Sequence, residues 1–488
     1  MTQQSRSYKV RITGSLLSLA LAGCAVGPNY VKPEAGLADF HNRVKSGSKA
    51  PALERWWMGF DDPELVRIVQ TVLDQNLDLA ASIARVKEAR AVAAGSSAAL
   101  LPTFDFTSSI NRERQSLLGP FGTIASTVPV YKRNTTDYVV GPAASWEIDI
   151  FGGLRRGAAA AKAEAEAAIA DQAGTRVIVA ADAADAYFQI RGYQARLAIA
   201  ENQVKDDERL LQLVRARYGA GAAGGREIAQ ADALLKQALT ATPPLRIGLE
   251  QQLNRLDVLM GVQPGTYAKT LKTSSKIASF PAIPGDQHPI DVLRRRPDVI
   301  AAERRLASSN ERIGQAISDY YPQISLAGAL GFDSLTSPHL FKSAAFQAVG
   351  SGALRWRIFD FGKVNAEVAQ ARGATAAALA LYRQSVLRAA EDVEDSLSSL
   401  AQTKILVDQL QDEVQALVKS RDLSEESYKA GSITITDVLD ADRQLLIARD
   451  ELDARRVDTA RAVVGAFRAL GGGWDESKAQ PKASMATR

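Results

Sequence analysis

The sequence predicts a mainly α-helical protein with four short β-strands, built from two tandem copies of one structural unit. Three observations predict this class: a repeat with a period of 210 residues, long runs without proline, and short stretches of alternating polarity. The chain has 488 residues, of which 46% are hydrophobic and 23% charged. A folded protein is therefore expected rather than a disordered one.

The repeat is clearest around two motifs. RYGAGAAGGREIAQADALL at 217–235 aligns without gaps on SYKAGSITITDVLDADRQL at 427–445, at an offset of 210 residues. WEIDIFGG at 146–153 aligns with WRIFDFGK at 356–363 at the same offset. Two duplicated units follow from this, and the predicted divisions are a signal peptide (1–23), an N-terminal segment (24–60), a first repeat (61–270), a linker (271–288), a second repeat (289–473) and a tail (474–488).

Each repeat shows the same predicted order of elements. Helical stretches come first, and strands with alternating polarity follow. Proline-free runs rich in good helix formers come last, and Arg155–Arg217 as one helix would be about 90 Å long. The helical stretches are Asp61–Ala99 and Pro289–Asp319, and the strands are Phe104–Arg114, Asp137–Ile148, Ile324–Phe332 and Phe346–Ile358.

The N-terminus has the features of a bacterial lipoprotein signal. Three basic residues precede the short apolar run Ile12–Ala22, which is too short to span a bilayer. The run ends in LAGC, and its Cys24 is the only cysteine of the chain. This resembles the lipobox, in which the cysteine becomes acylated, and the following Ala25 favours the outer membrane. The alternative is an ordinary cysteine beside a simple cleavage site.

Composition argues against several other classes of protein. The formal charge is +4, and removal of residues 1–23 lowers it to +1, so attraction to nucleic acid is not indicated. The three histidines, His41, His288 and His339, are far apart, and zinc-site spacings are missing. After this apolar run the sequence contains no stretch of 18 continuous apolar residues, so it predicts no transmembrane helix. A membrane crossing would therefore require β-strands.

Gly219, Gly221 and Gly224 match G-x-G-x-x-G, the spacing of a dinucleotide-binding loop. That loop requires a preceding strand, whereas Glu201–Arg217 is helical in composition, and the second repeat keeps only Gly431. The motif instead predicts a corner between two helices, where glycine permits a left-handed conformation.

Acidic residues follow each predicted corner. Asp437 and Asp440 are three residues apart and share one helix face, with Thr436 as the predicted helix cap. Arg226 and Glu227 stand at the equivalents of Thr436 and Asp437. Acids in a first helical turn also interact favourably with the helix dipole, so a purely local role for Asp437 remains open.

Four strands cannot close a membrane barrel alone, because two edges would leave backbone groups unsatisfied in lipid. Oligomerisation would solve this by sharing a barrel among subunits. A small soluble sheet beside the coiled coils is the alternative that the strand pattern leaves open.

Several long motifs resemble the TolC-like outer-membrane factors, and the lipid signal indicates the NodT/OprM-type lipoprotein branch. The resemblance spans essentially the whole chain after Cys24. It rests on the repeat motifs above and on GCAVGPNYVKPE at 23–34, RWWMGFDDPEL at 55–65 and LRRRPDVIAAERRLASSNERIGQAISDYYPQISLAG at 293–328.

The resemblance implies a homotrimer in the outer membrane. Three chains would form a 12-stranded β-barrel that continues into a periplasmic α-helical coiled-coil barrel, with a mixed α/β equatorial region that includes residues 243–248 and 262–289. The protein would be the exit duct of a tripartite efflux pump for small molecules, and not an enzyme. Its partners would be a periplasmic adaptor and an inner-membrane transporter of the RND type, and its only attached group would be a lipid on Cys24. The alternatives are a type I protein-secretion channel, a non-pore coiled-coil lipoprotein or adhesin, and a periplasmic adaptor.

The resemblance also assigns residues to a periplasmic gate and to adaptor-contacting tips. In a trimer, Asp437 and Asp440 would form a ring of six carboxylates that attracts cations. Ile433 stands where some members carry a basic gate residue, which makes Arg226 the candidate substitute. The gate comprises Asp437, Asp440, Glu227, Arg226 and Tyr428, and the tips comprise Ala220, Gly221, Ala222, Ala430, Gly431 and Ser432.

Overall fold

A computed structural model describes residues 25–34, 36, 38–42, 50–125, 127, 132–267, 270–271, 280–284 and 288–475. A 3-10 helix at Leu53–Phe60 precedes the labelled elements. These are α1 Pro63–Gln75, α2 Leu77–Ala98, β1 Thr103–Arg114, α3 Pro120–Ala125, β2 Asn134–Ile148, α4 Gly153–Gly219, α5 Gly225–Leu259, α6 Pro289–Arg295, α7 Pro297–Ser318, β3 Gln323–Ser334, β4 Phe346–Arg355, α8 Lys363–Lys429 and α9 Ile435–Ala469.

Both helical stretches that open the repeats are interrupted once. Asn76 separates α1 from α2 in an extended conformation, and its side-chain oxygen accepts a hydrogen bond from the Leu79 backbone N–H. Arg296 separates α6 from α7, because the residue before a proline is disfavoured in the helical region. The helical stretches predicted at Asp61–Ala99 and Pro289–Asp319 are thus helical, and each consists of two helices.

The duplicated long hairpins are equal in length. Helices α4 and α8 each contain 67 residues, and α5 and α9 each contain 35. Each pair starts and ends at positions 210 residues apart. Pro243 and Pro244 lie inside α5, so residues 243–248, which the family resemblance assigns to the mixed α/β equatorial region, are helical. None of the helices formed by the described residues is long and apolar enough to span a bilayer.

The chain divides into two compact units that cut across the two sequence repeats. The first comprises residues 1–33, 87–166 and 303–381, and the second comprises residues 34–86, 167–302 and 382–488. Each unit therefore takes segments from both repeats.

The first unit contains an antiparallel sheet with the strand order β1-β2-β3-β4. At one end of the sheet, Ile148 of β2 pairs with Ile324 of β3, which in turn pairs with Leu354 of β4. Because β2 and β4 run in the same direction, both strands finish at this end.

The duplicated tryptophans make the same contact in both repeats. Trp146 Nε1 donates to the Leu100 carbonyl oxygen (3.0 Å), and Trp356 Nε1 donates to the Tyr320 carbonyl oxygen (2.9 Å). Each acceptor lies two residues before the proline that precedes its strand. The indole therefore ties the start of one strand to the end of another.

The second unit contains the main hydrophobic core. Trp56, Trp57 and Phe60 of the RWWMGF motif are buried in it. The Trp56 ring stacks on Phe467 with centroids 5.5 Å apart. Asp62 caps α1 and accepts a hydrogen bond from the Tyr187 hydroxyl (2.6 Å), so the polar end of this motif is also satisfied.

Candidate functional site at the helical hairpin corners

The two hairpins turn through the same backbone geometry. In the first, Ala222 N–H donates to the Arg217 carbonyl (2.8 Å) and Gly221 N–H donates to the Tyr218 carbonyl (3.0 Å). In the second, Ser432 bonds to Ser427 (3.0 Å), and Gly431 bonds to Tyr428 (2.9 Å). Both patterns are Schellman motifs, which close a helix through a left-handed residue.

Only the shared glycine of each corner requires a glycine conformation. Gly221 and Gly431 both have φ +74°, in the left-handed region. Gly224 has φ −101°, and Gly219 ends α4 without a positive φ. The corner interpretation is confirmed by this geometry, which lacks the strand that a dinucleotide-binding loop requires.

The ends of the two hairpins pack into one apolar cluster. It contains side chains from α4, α5, α8 and α9, so both repeats contribute to it. Ile433 packs against this cluster as a partly buried residue, which explains an apolar side chain at that position. The buried members are Leu211, Val214, Ala231, Leu235, Tyr428, Ile435 and Val438.

Arg217 links the two hairpins at this cluster. Its guanidinium carbon lies 4.4 Å from the centroid of the Tyr428 ring, and its Nη1 donates to the Tyr428 carbonyl oxygen (3.0 Å). The cation therefore contacts both the ring face and the end of α8. Sequence reasoning missed Arg217, because its equivalent in the second repeat is Ser427 and repeat symmetry does not single it out.

Glu227 lies close enough to Tyr428 to act on its phenol. Burial raises the pKa of the Tyr428 phenol, the charge of Arg217 opposes this shift, and the Glu227 carboxylate adds to it. The buried hydroxyl has no hydrogen bond of ordinary geometry among the described residues. Arg226 is exposed and is not the cation at Tyr428. The basic contact is made by Arg217 instead.

The acids after the second corner have local partners. Thr434, rather than the predicted Thr436, is the N-cap of α9. Asp437 Oδ2 accepts from the Thr434 backbone N–H (2.9 Å) and lies 2.8 Å from its hydroxyl oxygen. Asp440 pairs with Arg443 (2.6 Å). Asp437 therefore has the local capping role that the sequence left open. Both acids remain exposed and available to a neighbour.

Two buried acids, Asp207 and Asp442, lie further along the hairpins than the corner residues. Asp442 accepts from Arg421 Nε (2.9 Å), and Arg421 also pairs with Glu425 (2.8 Å). Asp207 of α4 is buried and accepts from Gln203 (2.8 Å), while its Oδ2 has no hydrogen bond within the described structure. Burial raises the pKa of Asp207 to about 6, with Asp442 and Asp206 adding to the shift and Gln203 opposing it.

Two other sequence predictions concern different parts of the molecule. Cys24 lies outside the described residues, and the segment that follows it is described from Ala25. Across the described ranges, no group of His, Cys, Asp and Glu side chains forms a candidate metal site.

The duplicated hairpins and the four-stranded sheet define a class, the outer-membrane channel proteins. A family model described as outer membrane efflux protein matches residues 68–262 and 289–472. The chain belongs to this family. The predicted family and mainly helical fold class are confirmed.

Individual relatives match nearly the whole chain. The pyoverdine export outer membrane protein OpmQ of Pseudomonas putida is 31% identical over 464 residues, covering 94% of this chain and 96% of the relative. Nodulation protein T of Rhizobium leguminosarum bv. trifolii is 28% identical over 467 residues, covering 95% and 98%. The prediction of an outer-membrane efflux function is thereby confirmed, and the secretion-channel and non-pore alternatives are not supported.

Solved channels share the fold. The outer-membrane channel OprN has a TM-score of 0.84 at 31% identity, covering 92% of this chain and 100% of that chain. The open state of the Neisseria gonorrhoeae MtrE outer membrane channel has a TM-score of 0.79 at 26% identity, covering 92% and 99%. The chain is thus an outer-membrane efflux component, and the predicted outer-membrane localisation is confirmed.

Proposed function

We propose that three copies of this chain form the exit duct of a tripartite efflux pump, with its entrance at the helical corners. The observation that carries this proposal is the open sheet of an outer-membrane protein. Among the described strands, β1 and β4 each pair on one side only. In lipid, unpaired edges cost several kcal/mol per polar group. Pairing β4 of one copy with β1 of the next closes 12 strands from three chains.

The contact between Arg217 and Tyr428 holds the two hairpins together at the entrance. It joins the end of α4 to the end of α8 at the apolar cluster, with Glu227 beside the tyrosine. Separation of the hairpins requires this contact to break and part of the cluster to become exposed. We assign the closed state of the gate to it, with Arg217 in the role first given to Arg226.

Asp437 and Asp440 supply the charge of the entrance. Both are exposed at the start of α9, and a trimer presents six such carboxylates around its axis. A ring of this kind attracts cations and binds divalent ions when it is narrow. The capping role of Asp437 is compatible with this, because its carboxylate remains accessible.

The corners form the contact surface for a periplasmic adaptor. Their residues Ala220, Gly221 and Ala222, and Ala430, Gly431 and Ser432, are small and exposed. Small side chains allow another backbone to approach closely. The adaptor connects the duct to an inner-membrane transporter, for which the RND type is proposed from the family resemblance.

Cys24 carries the lipid that anchors the mature chain. The following segment is held on the first unit, where Arg156 Nε donates to the Val26 carbonyl (3.2 Å) and the Tyr30 hydroxyl donates to Glu303 (2.5 Å). These contacts hold the segment that follows Cys24 against the unit that contains the strands.

Reconstitution of the purified protein in a planar bilayer tests the duct. Trimers on unheated gels, together with single-channel conductance from the same preparation, are expected. A trimer without conductance contradicts the pore, and conductance from a species of another size contradicts the trimeric barrel. Cysteines placed on β1 and β4 should cross-link neighbouring copies.

A further inference from the structure

The charges of the four strands are separated by sign between the two faces of the sheet. The register pairs even-numbered residues with even-numbered residues from β1 to β4, so these residues share one face. On the strands as described, the charged residues of this face are Arg112 and Arg114. The opposite face carries one base, Arg355, and otherwise acids, namely Asp105, Glu113, Asp137, Glu147 and Asp333.

The face that carries the two arginines is the apolar face of β1. Phe104 is 78% exposed, Phe106 73% and Ile110 68%, and all three are even-numbered. With the sheet inserted in the outer membrane, exposed apolar residues of this kind face lipid. Arg112 and Arg114 therefore lie on the lipid-facing side of the sheet and not in the lumen of the duct.

The position of the arginines along β1 places them at the outer boundary of the membrane. The long helices follow β2 and β4 at the other end of the sheet, where Ile148 pairs with Ile324. Arg112 lies about 26 Å further along the strand than Phe104. A strand tilt of about 40° reduces this to about 20 Å of depth, close to the apolar height of about 25 Å in such barrels. Arg112 and Arg114 thus reach the level of the outer head groups.

The donors at this level suit a phosphate group. Arg112 and Arg114 are exposed, and neither has an ion-pair partner in the described part of the chain. Alternate residues of a strand are about 7 Å apart, so both side chains can reach one anion. Thr136 pairs with Arg112 and Asn134 with Arg114, which adds a hydroxyl and an amide donor. Guanidinium groups bind phosphate through two parallel hydrogen bonds.

The second repeat lacks this arrangement. Counted from the proline before each strand, Phe332 and Ser334 of β3 stand at the positions of Arg112 and Arg114. The two strands share their fold, so the fold alone does not require the arginines. The chain thus has this group of donors once, and a trimer would have it three times.

We propose that Arg112 and Arg114 bind a phosphate group of a phosphorylated glycolipid in the outer leaflet, with Thr136 and Asn134 as further donors. This proposal rests on the proposed insertion of the sheet in the outer membrane. Two features favour a lipid over a soluble anion. The arginines supply charge complementary to phosphate, and the apolar face of the same strand lies directly below them to meet the acyl chains. The glycolipid is favoured over a glycerophospholipid because the outer leaflet of this membrane is built mainly from it.

Native mass spectrometry of the acylated trimer measures this binding. The detergent-solubilised protein is titrated with diphosphorylated lipid A, with its dephosphorylated form and with phosphatidylglycerol. Lipid A should bind in up to three copies per trimer, and about tenfold more tightly than either of the other lipids.

Arg112→Gln with Arg114→Gln should weaken lipid A binding about tenfold or more, because two charged donors are lost. Lys404→Gln with Lys419→Gln is the matched control. It removes the same charge from exposed positions of α8 and should leave lipid A binding unchanged.

Three results overturn the proposal. Equal binding of lipid A to the parent and to the double arginine variant removes these residues from the site. Equal binding of phosphatidylglycerol contradicts recognition of the glycolipid. Displacement of lipid A by excess inorganic phosphate shows that the free anion is sufficient.

The same spectra separate this failure from failure of the proposed duct. They report whether the parent and the variant are trimers, and bilayer conductance of the variant should match that of the parent. A species other than a trimer, or a trimer without conductance, would contradict the duct. A conducting trimer that binds no lipid A would contradict the lipid site alone.

Discussion

The guanidinium of Arg217 lies against the face of the Tyr428 ring, 4.4 Å from its centroid, and bonds to the carbonyl oxygen of the same tyrosine. Neither contact uses the tyrosine hydroxyl. Replacing Tyr428 by phenylalanine therefore removes the hydroxyl and keeps both contacts. Mutation can thus test which group keeps the proposed gate closed.

Arg217→Met should open the entrance. The change removes a cation–π contact and a charged hydrogen bond, together worth about 2 kcal/mol, while keeping an apolar stem of similar length. Single-channel recording without adaptor should show that the variant channel is open for a larger fraction of the time than the parent channel. Tyr428→Phe is the matched control and should stay closed, because it keeps both the ring and the carbonyl. If Tyr428→Phe opens the channel as far as Arg217→Met, the hydroxyl facing Glu227 is the closing contact instead.

Substitution of the corner glycines should distinguish the two kinds of glycine. Gly221→Ala and Gly431→Ala should each destabilise by about 1 kcal/mol, because both need a left-handed φ. Gly219→Ala and Gly225→Ala should not destabilise, since neither has a positive φ, both lie within helices, and an added Cβ meets no atom within 4 Å. Thermal unfolding of the trimer followed by circular dichroism measures this. Equal losses at all four positions would contradict the Schellman geometry.

Asp437→Asn with Asp440→Asn should weaken block by divalent cations. In the proposed trimer the entrance loses six negative charges, while asparagine at 437 can still accept the capping hydrogen bond. Titration of the conductance with Mg²⁺ measures the block, and Glu413→Gln, an exposed acid within α8, is the control. A block that is unchanged in the double variant places these acids away from the pore.

Asp207 should make the hairpin ends less stable as pH rises. Its folded pKa of about 6 lies above the ordinary value for aspartate, because burial disfavours the charged form. Between about pH 4 and pH 6 the folded state holds a proton that the unfolded chain has lost, so the stabilising contribution disappears as pH rises through this window. The groups that act on Asp207 are Gln203, Asp442 and Asp206, and Asp442 is itself paired with Arg421.

Asp207→Asn removes this dependence. The variant should melt at higher temperature than the parent at pH 7.5 and close to it at pH 4, with a difference of about 3 kcal/mol at most. Asp412→Asn, which alters an exposed acid of α8, serves as the control. A parent protein whose melting temperature is constant between pH 4 and pH 7.5 would rule out Asp207 as a titrating group in this range.

Periodicity and composition were sufficient for much of the fold. The offset of 210 between Trp146 and Trp356, and between Gly221 and Gly431, located both strand pairs and both corners, because duplicated segments fold alike. The helix break at Arg296 is encoded by Pro297, since the residue before a proline is disfavoured in the helical region. Pro243 and Pro244 show the opposite case. Proline disfavours a helix, yet both residues lie inside α5, because the surrounding helix overrides the local propensity.

The side-chain contacts at the corner could not be predicted from local patterns in the sequence. Tyr428 and Glu227 were found by resemblance, whereas Arg217 reaches Tyr428 across 211 residues. The pairing depends on how two hairpins pack, and no local pattern encodes it. Likewise, Asp207 resembles any polar position of a long helix until burial distinguishes it.

The equal lengths of the paired helices constrain how this protein can change in evolution. Helices α4 and α8 each have 67 residues, and α5 and α9 each have 35, with both corners closed by the same turn. A deletion of one heptad in a single helix would leave its hairpin out of register with the other and would separate Arg217 from Tyr428. A change in hairpin length that keeps this contact must therefore occur in all four helices together. The distance from the sheet to the proposed adaptor surface can then change only in discrete steps.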